Sequence, residues 1–595
     1  MMNAEATRSP TLGTRLRDVV FFILFFLYLR LVVDVRLIAH CAGPRSGDLP
    51  VFYRGWTFFR EFVVRPGGLV EYAGAFLFQL FSHAWLGALV VTCLAWLLSL
   101  CVSGCFAASG SQRLRCLRHV PAVLLLAIYS RYAHCITSIV ALLAALCLLP
   151  AYLRISAKGT AAAMAFFIVV CPALYCIAGA TCVVFAATCI LYEALIMRRW
   201  QLAAPCLLVA GAVPWAIGVL LCGSPPAAAL TPYAFSWNVA IPGEPLWAIY
   251  VLYLLVPAGM ILSSGSWAAA HRVRPWEALL PFVLAAGTAY FAFAPGGKAL
   301  RTVDFYASRG KWEQVLAAAR ADPANPPIVQ TVDRALCHTG RMADELFSHP
   351  QSLPALLIDP NEPLSWQWAE IWLDVGFVNA AEHHLAQAEE VVGEQPAILQ
   401  KLALIHMAKG NIGTAKIYLK ALTRTLFRDE WAVTHLKELE DDPNLSNDPQ
   451  VQWLRGTMPK TSALIKEQTT DEWFLELLDT NPTNRLAFEY LMALYLVAGR
   501  PDKVAETIHR LDTFGCARPY LPEHYAEAVV AYMAKGGKPD LYGWQIREET
   551  LQRFQACMES ARTHQNDPAA LRRELRETFP GSYFRYLLVG ESGRP

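Results

Sequence analysis

The chain has 595 residues, of which 55 % are hydrophobic and 17 % are charged, and its formal net charge is +2. This near-neutral sum hides two regions. Residues 1–297 hold 19 Lys and Arg against 9 Asp and Glu, whereas residues 298–595 hold 32 against 40. An acidic soluble half excludes nucleic acid as a partner, because nucleic acid binding requires a basic surface.

The first half contains apolar stretches close to the length of about 20 residues that crosses a bilayer. Arg15 and Arg17 precede the first stretch, which reads as an uncleaved signal anchor. Two of the stretches are long enough for pairs of short helices, broken near Ser130–His134 and near Ala178–Ala180. The sequence therefore predicts an all-α bundle of about nine spans, at 19–39, 85–107, 120–153 (a pair), 161–197 (a pair), 203–221, 246–262 and 276–293.

The basic residues between these stretches predict the orientation. Five clusters share one side if nine spans are drawn, namely Arg8/Arg15/Arg17, Arg113/Arg115/Arg118, Arg154/Lys158, Arg198/Arg199 and Arg272/Arg274. Lys and Arg accumulate on the cytoplasmic side. We therefore expect a cytoplasmic N-terminus and a soluble domain, residues 298–595, outside the cytoplasm. The first outer loop, residues 40–82, is an exception, because it carries Arg45, Arg54, Arg60 and Arg65.

The second half shows a 34-residue period. Gly376, Ala381 and Leu385 recur as Gly410, Ala415 and Leu419, and a related pattern begins at Gly310 and at Gly499. Each glycine is expected to end one helix in a left-handed turn before a second helix packs back on the first. This spacing is that of tetratricopeptide repeats and predicts a helical-repeat solenoid, a fold that binds polypeptides in its concave groove. The alternative is that the repeats cover the outer face of the membrane domain.

The segments 66–72, 376–422, 484–493 and 521–528 carry a resemblance to an uncharacterised family of bacterial multi-span membrane proteins with a helical-repeat tail. That resemblance covers most of the chain. It implies a protein of the bacterial inner membrane, in which the side outside the cytoplasm is the periplasm, and it implies no known activity.

The first outer loop holds Asp48, then an amphipathic run around Arg54 and Arg60, then Pro66-Gly67-Gly68 before an apolar helix. This layout is similar to the membrane glycosyltransferases of the GT-C type. The resemblance implies that Asp48 is the essential acidic residue, which acts as base for the acceptor or as metal ligand, with Asp34 as a competing choice. It also implies that Arg54, Arg60 and Arg65 hold a lipid-linked phosphate. The loop has no adjacent acidic pair, and its turn is Pro-Gly-Gly, so it gives no support to a metal.

Four further residues are candidates for the same site. Arg30 and Asp34 have the i,i+4 spacing of an ion pair on one helical face, either at a substrate site or as a structural pair. Glu71 either pairs with Arg65 or transfers protons. Arg131 and His134, at a break between two spans, either bind phosphate or transfer protons, or belong to a capping turn.

Two functions remain open at this point, and so does the question whether the protein is an enzyme. One is GT-C-like transfer of a group from a lipid-phosphate carrier at the outer face of the membrane. The other is a non-catalytic envelope scaffold whose repeats bind a protein partner. The sequence predicts membrane lipid as a partner and no metal. It also predicts no cofactor other than a lipid-phosphate donor, because it contains no Gly-x4-Gly-Lys-Ser/Thr loop and no paired-cysteine motif.

Overall fold

The computed structural model describes residues 12–40, 50–109, 117–230, 246–264, 279–351, 356, 366–459, 470–516 and 518–590. Over these residues the protein is 79 % helix without a strand, which confirms the all-α class. The chain divides into two compact units. The N-terminal unit comprises Met1–Cys41, Gly47–Lys298 and the segment Arg424–Asp429, and the C-terminal unit comprises mainly Ala299–Thr423 and Glu430–Pro595.

The N-terminal unit is built from apolar helices. In chain order they are α1 (Leu12–Leu27), α2 (Arg36–Ala39), α3 (Trp56–Val63), α4 (Gly68–Gln79), α5 (Ala84–Ala108), α6 (Val120–Ser130), α7 (Ile136–Ser156), α8 (Thr160–Ala178), α9 (Cys182–Leu191), α10 (Trp200–Val213), α11 (Pro226–Leu230), α12 (Leu246–Ser264), α13 (Leu280–Ala292) and α14 (Pro295–Ala307), the last of which continues into the C-terminal unit. The π-helical segments Tyr28–Val33, Tyr192–Ile196 and Pro214–Leu221 extend α1, α9 and α10.

The prediction of nine spans is wrong. Among the described residues, four helical segments are long and apolar enough to cross a membrane, and the bent pair α13–α14 would make five. The four are Ala84–Ala108, Ile136–Ser156, Thr160–Ile196 and Trp200–Leu221.

The excess in the predicted count has three physical causes. The first apolar stretch carries charges near both ends, at Arg17 and Asp18 and again at Arg30. The stretch predicted as a pair at 161–197 forms one long, broken helical segment. Leu117–Ser130 and Trp247–Leu262 form helices that are too short. The predicted break after Ser130 is confirmed, since α6 ends there and α7 starts at Ile136.

Small residues bring the helices of the N-terminal unit together. A Cβ placed on Gly74 of α4 would lie 2.7 Å from the Thr137 hydroxyl of α7, so the two backbones approach more closely than any side chain allows. A Cβ placed on Gly104 of α5 would lie 3.5 Å from the Pro150 ring of α7, which is ordinary van der Waals contact. Membrane helices commonly pack in this way, because lipid supplies no hydrophobic force to drive helices together.

The C-terminal unit is a set of short helices that alternate with tight turns. In chain order they are α15 (Trp312–Ala319), α16 (Pro326–Thr339), α17 (Met342–Glu345), α18 (Trp366–Val375), α19 (Val378–Val392), α20 (Pro396–Ala408), α21 (Ile412–Leu422), α22 (Asp429–Asp441), α23 (Pro449–Thr457), α24 (Thr470–Thr480), α25 (Arg485–Val497), α26 (Pro501–Thr507), α27 (Glu523–Ala534), α28 (Glu548–Thr563), α29 (Pro568–Thr578) and α30 (Tyr583–Val589).

The same glycine turn joins the two helices of five pairs. Gly310, Gly340, Gly376, Gly410 and Gly499 have φ between 64° and 85°. At each, the glycine N–H donates to the carbonyl three residues back and the next N–H donates to the carbonyl five residues before it. These are the two bonds of a Schellman cap. The predicted left-handed glycines are confirmed, and Gly340 adds one that the sequence pattern missed.

Helix α25, which comes much later in the chain, packs against α16 and α18, the first helices of two of the pairs. The side-chain amide of Asn484, at the start of α25, donates to the Val375 carbonyl at the end of α18. Every residue of Ile328–Cys337 in α16 and of Ala487–Val497 in α25 is buried. The first helices are thus enclosed in a core, whereas a solenoid would expose them along a groove. The described helices do not establish a tetratricopeptide solenoid.

Candidate functional site

The predicted outer loop contributes helices α3 and α4 and the turn between them. Gly67, with φ 81°, ends this turn, and its N–H donates to the carbonyl of Cys176 in α8. The turn is therefore tied to the core of the N-terminal unit. Asp48, the first choice for the catalytic acid, lies outside the described residues.

Asp34 is paired with Arg36 and not with Arg30. The Arg36 guanidinium donates to both carboxylate oxygens, from Nε at 2.9 Å and from a terminal nitrogen at 2.6 Å. The expected i,i+4 pair with Arg30 is wrong, because Tyr28–Val33 is a π-helix that ends before Asp34, and Asp34 itself has φ 56°. Both changes remove the α-helical register on which that pairing depends.

Two side chains satisfy the carbonyl groups at the end of this π-helix. Lys298 Nζ donates to the Val32 carbonyl at 2.7 Å, and the Tyr132 hydroxyl donates to the Val33 carbonyl at 3.0 Å. Tyr132 follows Arg131 directly. The backbone of Arg131, one of the predicted site residues, therefore lies beside the turn at Asp34. The structure thus collects Asp34, Arg131 and Lys298 at one end of the N-terminal unit.

His134 lies in the connection between α6 and α7. Its ring is 5.2 Å from the Phe78 ring of α4, measured between centroids. Burial lowers the pKa of His134 to about 4, because the charged imidazolium loses its hydration. The ring is therefore neutral near pH 7 and offers no charge to a phosphate.

Glu71 is paired with Arg65, the first of its two predicted alternatives. Arg65 approaches the Glu71 carboxylate to 2.6 Å and also lies over the Phe62 ring. Arg54 is engaged as well: it donates to the Thr425 carbonyl at 2.6 Å and to the Asp429 carboxylate. Two of the three loop arginines predicted to hold a phosphate thus already bind oxygen atoms of the protein.

Arg60 is different. It is exposed on α3, and the described residues give its side chain no ion pair. The described acids that were predicted for the site, Asp34 and Glu71, are each paired with an arginine. Such an arrangement stabilises turns and helix ends.

A buried carboxylate in the N-terminal unit escaped the sequence analysis. Glu193, at the end of α9, is fully buried and accepts hydrogen bonds from the hydroxyls of Ser156 and Tyr152. Arg199 lies 4.0 Å from its second oxygen and also donates to the Ser156 carbonyl. The sequence held a signal, because Glu193 is the sole Asp or Glu between Glu71 and Glu244.

A second network that the sequence did not reveal lies inside the C-terminal unit. Arg334 of α16 is buried and donates to Asp374 at 2.7 Å and to Glu370 at 3.1 Å, both on α18. Lys401 of α20 pairs with Glu370, and His338 lies 3.2 Å from Asp374. Ion pairs thus connect α16, α18 and α20, each of which is the first helix of a pair. Burial would raise the pKa of Asp374, but Arg334 and His338 outweigh it and hold that pKa below its ordinary value.

One arrangement in the described chain could hold a metal. The ligand atoms of His435, Glu438 and Asp448 lie within 4.8 Å of one another. His435 Nδ1 bonds to the Trp431 carbonyl at 2.8 Å, which aims Nε2 at Asp448, 3.2 Å away. Asp448 also accepts from the backbone N–H groups of Gln450 and Val451, so it is the N-cap of α23. A His–Asp ion pair explains this geometry equally well.

These features define the class of the protein: an all-helical chain with several apolar helices that could cross a membrane, followed by a compact unit of helix pairs. The chain belongs to a family of unknown function, DUF6057, whose model matches residues 13–590. The expectation of an uncharacterised family is thereby confirmed. Comparison with curated proteins and with solved structures gave no match.

Proposed function

We propose that the protein is a non-catalytic scaffold of the bacterial inner membrane, whose N-terminal unit anchors a C-terminal helical unit that binds a protein partner. One observation carries this choice over catalysis: each described acid of the predicted catalytic site is neutralised by an arginine. The C-terminal unit has the buried ion-pair core of a rigid domain, which suits a scaffold.

The partner surface in this proposal lies on the second helices of the pairs, because the first helices are enclosed. Val391 of α19 and Ile417 of α21 are 53 % and 67 % exposed, although both are large apolar side chains. Exposed apolar side chains on an otherwise polar helix face are common where another protein binds. The helix pairs resemble tetratricopeptide repeats in their turns, and this likeness supports a role in protein binding.

The proposed orientation puts the N-terminus in the cytoplasm and the C-terminal unit in the periplasm. Two observations support it. Arg118 pairs with Asp18, which brings the second basic cluster to the first, and Arg199 bonds to the Ser156 carbonyl, which brings the fourth cluster to the third. Basic clusters that converge in this way favour the cytoplasmic side.

Photo-crosslinking in cells tests the scaffold. A photoreactive residue at position 417 of the full chain is expected to capture one defined protein. The same residue at Glu506, which is exposed on α26, is the matched control and is expected to capture none. An Ile417→Asp variant should lose the complex but keep its level in the membrane. Equal capture at both positions would exclude this surface as the binding site.

GT-C-like transfer from a lipid-phosphate carrier is the second proposal. The exposed Arg60, without an ion pair among the described residues, favours it, because a free guanidinium on the outer loop suits a phosphate. If Asp48 is the catalytic acid, Asp48→Asn should abolish transfer in a cell-envelope glycan assay at an unchanged protein level. Full activity of that variant would remove this proposal and leave the scaffold.

A further inference from the structure

A cleft of about 820 Å³ lies between α1 and α5 of the N-terminal unit. On α1 its lining residues include Arg15, Asp18, Phe22 and Phe26, spaced three or four apart and therefore on one helix face. The twelve residues from Arg15 to Phe26 span about 16 Å at the rise of an α-helix. The cleft is thus elongated, and it follows the helix axis.

The two helices run in opposite directions along the cleft. At one end, Arg118, which follows α5 in the chain, pairs with Asp18 near the start of α1. At the other end, a Cβ on Gly87 of α5 would lie 2.8 Å from Val35, which follows α1. The C-terminal end of α5 therefore faces the N-terminal end of α1.

This arrangement collects the polar lining residues at one end. Arg15, Asp18 and Arg118 lie there together with Ser103 of α5. Beyond them the walls are mainly apolar, down to Phe26 on α1. The cleft therefore has one charged end and a long hydrophobic remainder.

The charged end carries a net positive charge. Asp18 is neutralised by Arg118, and Arg17 lies 3.8 Å from the same carboxylate oxygen. Arg15 is exposed, and within the described chain no ion pair involves its side chain. One guanidinium therefore remains for an anion from outside the protein.

We propose that this cleft binds a membrane phospholipid with an anionic headgroup, whose phosphate contacts Arg15 and whose acyl chain lies along α1 and α5. The charge and the shape are complementary to such a lipid. A free anion would leave the apolar walls beyond the charged end uncovered. Because apolar contacts between a lipid chain and a membrane helix gain little over contacts within the bilayer, the headgroup contact sets the selectivity.

Native mass spectrometry of the full chain tests this site, with phosphatidylglycerol or phosphatidylcholine added to the micelles at a fixed ratio. We expect the chain to retain phosphatidylglycerol in preference. Arg15→Ala should lower its retention about fivefold, which is the effect of one basic residue near an anionic headgroup. The loss for phosphatidylcholine should be smaller, because its choline offsets the charge of the phosphate. Arg198→Ala removes an exposed arginine elsewhere in the N-terminal unit and should match the wild type.

A second variant tests the apolar part. Cys93 lines the cleft, and Cys93→Trp fills the path of the acyl chain with another apolar side chain. It should lower the retention of both lipids. Unchanged phosphatidylglycerol retention in both Arg15→Ala and Cys93→Trp would overturn the proposal. So would displacement of the lipid by inorganic phosphate alone, or a dimer of the chain that Cys93→Trp dissociates.

Discussion

The two units use the same residue types for opposite purposes. In the N-terminal unit, glycines such as Gly74 lie within helices and let neighbouring backbones touch. In the C-terminal unit, glycines such as Gly376 lie between helices, where a positive φ reverses the chain. A glycine in an apolar helix and a glycine after a polar helix thus report different structural requirements.

The two units also differ in where they place their ion pairs. The predicted site in the N-terminal unit pairs its charges at helix ends, as at Asp34 and Glu71. The C-terminal unit pairs Arg334 with Asp374 and Glu370 across the middle of its core. Buried ion pairs stabilise a fold weakly as a whole, yet the loss of one partner is costly, because the remaining charge stays buried.

Removal of Arg334, the central cation of this network, should have the largest effect on the free energy of unfolding. Arg334→Met leaves Asp374 and Glu370 close together with reduced compensation and should cost about 3–5 kcal/mol. The matched control is Arg510→Ala, which removes an ion pair with the exposed Asp479 and should cost at most about 1 kcal/mol. Urea unfolding of the full chain in micelles measures both. Equal midpoints for the two variants would contradict the structural importance of the network.

The second effect on the free energy of unfolding depends on pH. Asp333 is buried with a hydrogen bond from Gln351, and burial raises the pKa of its carboxyl well above the ordinary value. The unfolded chain loses this proton near pH 4, whereas the folded chain retains it, so stability falls as the pH rises above 4.

Asp333→Asn cannot lose a proton and should remove this loss of stability. The variant should match the wild type near pH 3 and be increasingly more stable than the wild type toward pH 8. Thermal unfolding at a series of pH values checks this. A constant difference between the two proteins would show that the pKa of Asp333 is the same in the folded and the unfolded chain.

Close packing in the N-terminal unit should give an intermediate effect. Gly74→Ala places a methyl group 2.7 Å from the Thr137 hydroxyl and should cost about 1–3 kcal/mol. Gly211→Ala in α10 meets no atom within 4 Å and should gain up to about 1 kcal/mol from helix propensity. Opposite shifts of the thermal midpoint are expected, and shifts of one sign would refute the close approach.

The smallest effect is expected at the turns. Gly410→Ala puts a side chain at φ 75° with no clash and should cost about 1–2 kcal/mol from backbone strain alone. Gly413→Ala, three residues on in α21, has no positive φ and should stabilise by about 0.5–1 kcal/mol. The same thermal measurement checks this pair. A neutral Gly410→Ala would mean that the turn adapts to a side chain.

Local patterns predicted local structure well. The glycine turns at Gly376 and Gly410 and the break after Ser130 follow from residue type and spacing, and the structure contains them. The pairing of Glu71 with Arg65 was one of two alternatives that the sequence left equally open. The span count was wrong because hydropathy does not show where an apolar stretch bends or stops short.

Long-range features could not be predicted from the sequence. Asp34 pairs with Arg36 because the π-helix Tyr28–Val33 takes Arg30 out of the α-helical register. No residue pattern predicted that π-helix. The inner side of the first pairs is closed by α25, which lies more than a hundred residues further along the chain. The ion pairs of Arg334 with Asp374 and Glu370 could not be predicted either, because the periodicity within one helix does not show which other helices it contacts.

The central claim is that an apolar helix bundle holds the C-terminal unit on the periplasmic side of the inner membrane. Fusion of alkaline phosphatase, and separately of green fluorescent protein, to the C-terminus of the full chain tests this claim. We predict an active phosphatase and a dark fluorescent protein. A fluorescent fusion with an inactive phosphatase would place this unit in the cytoplasm and contradict the proposed orientation.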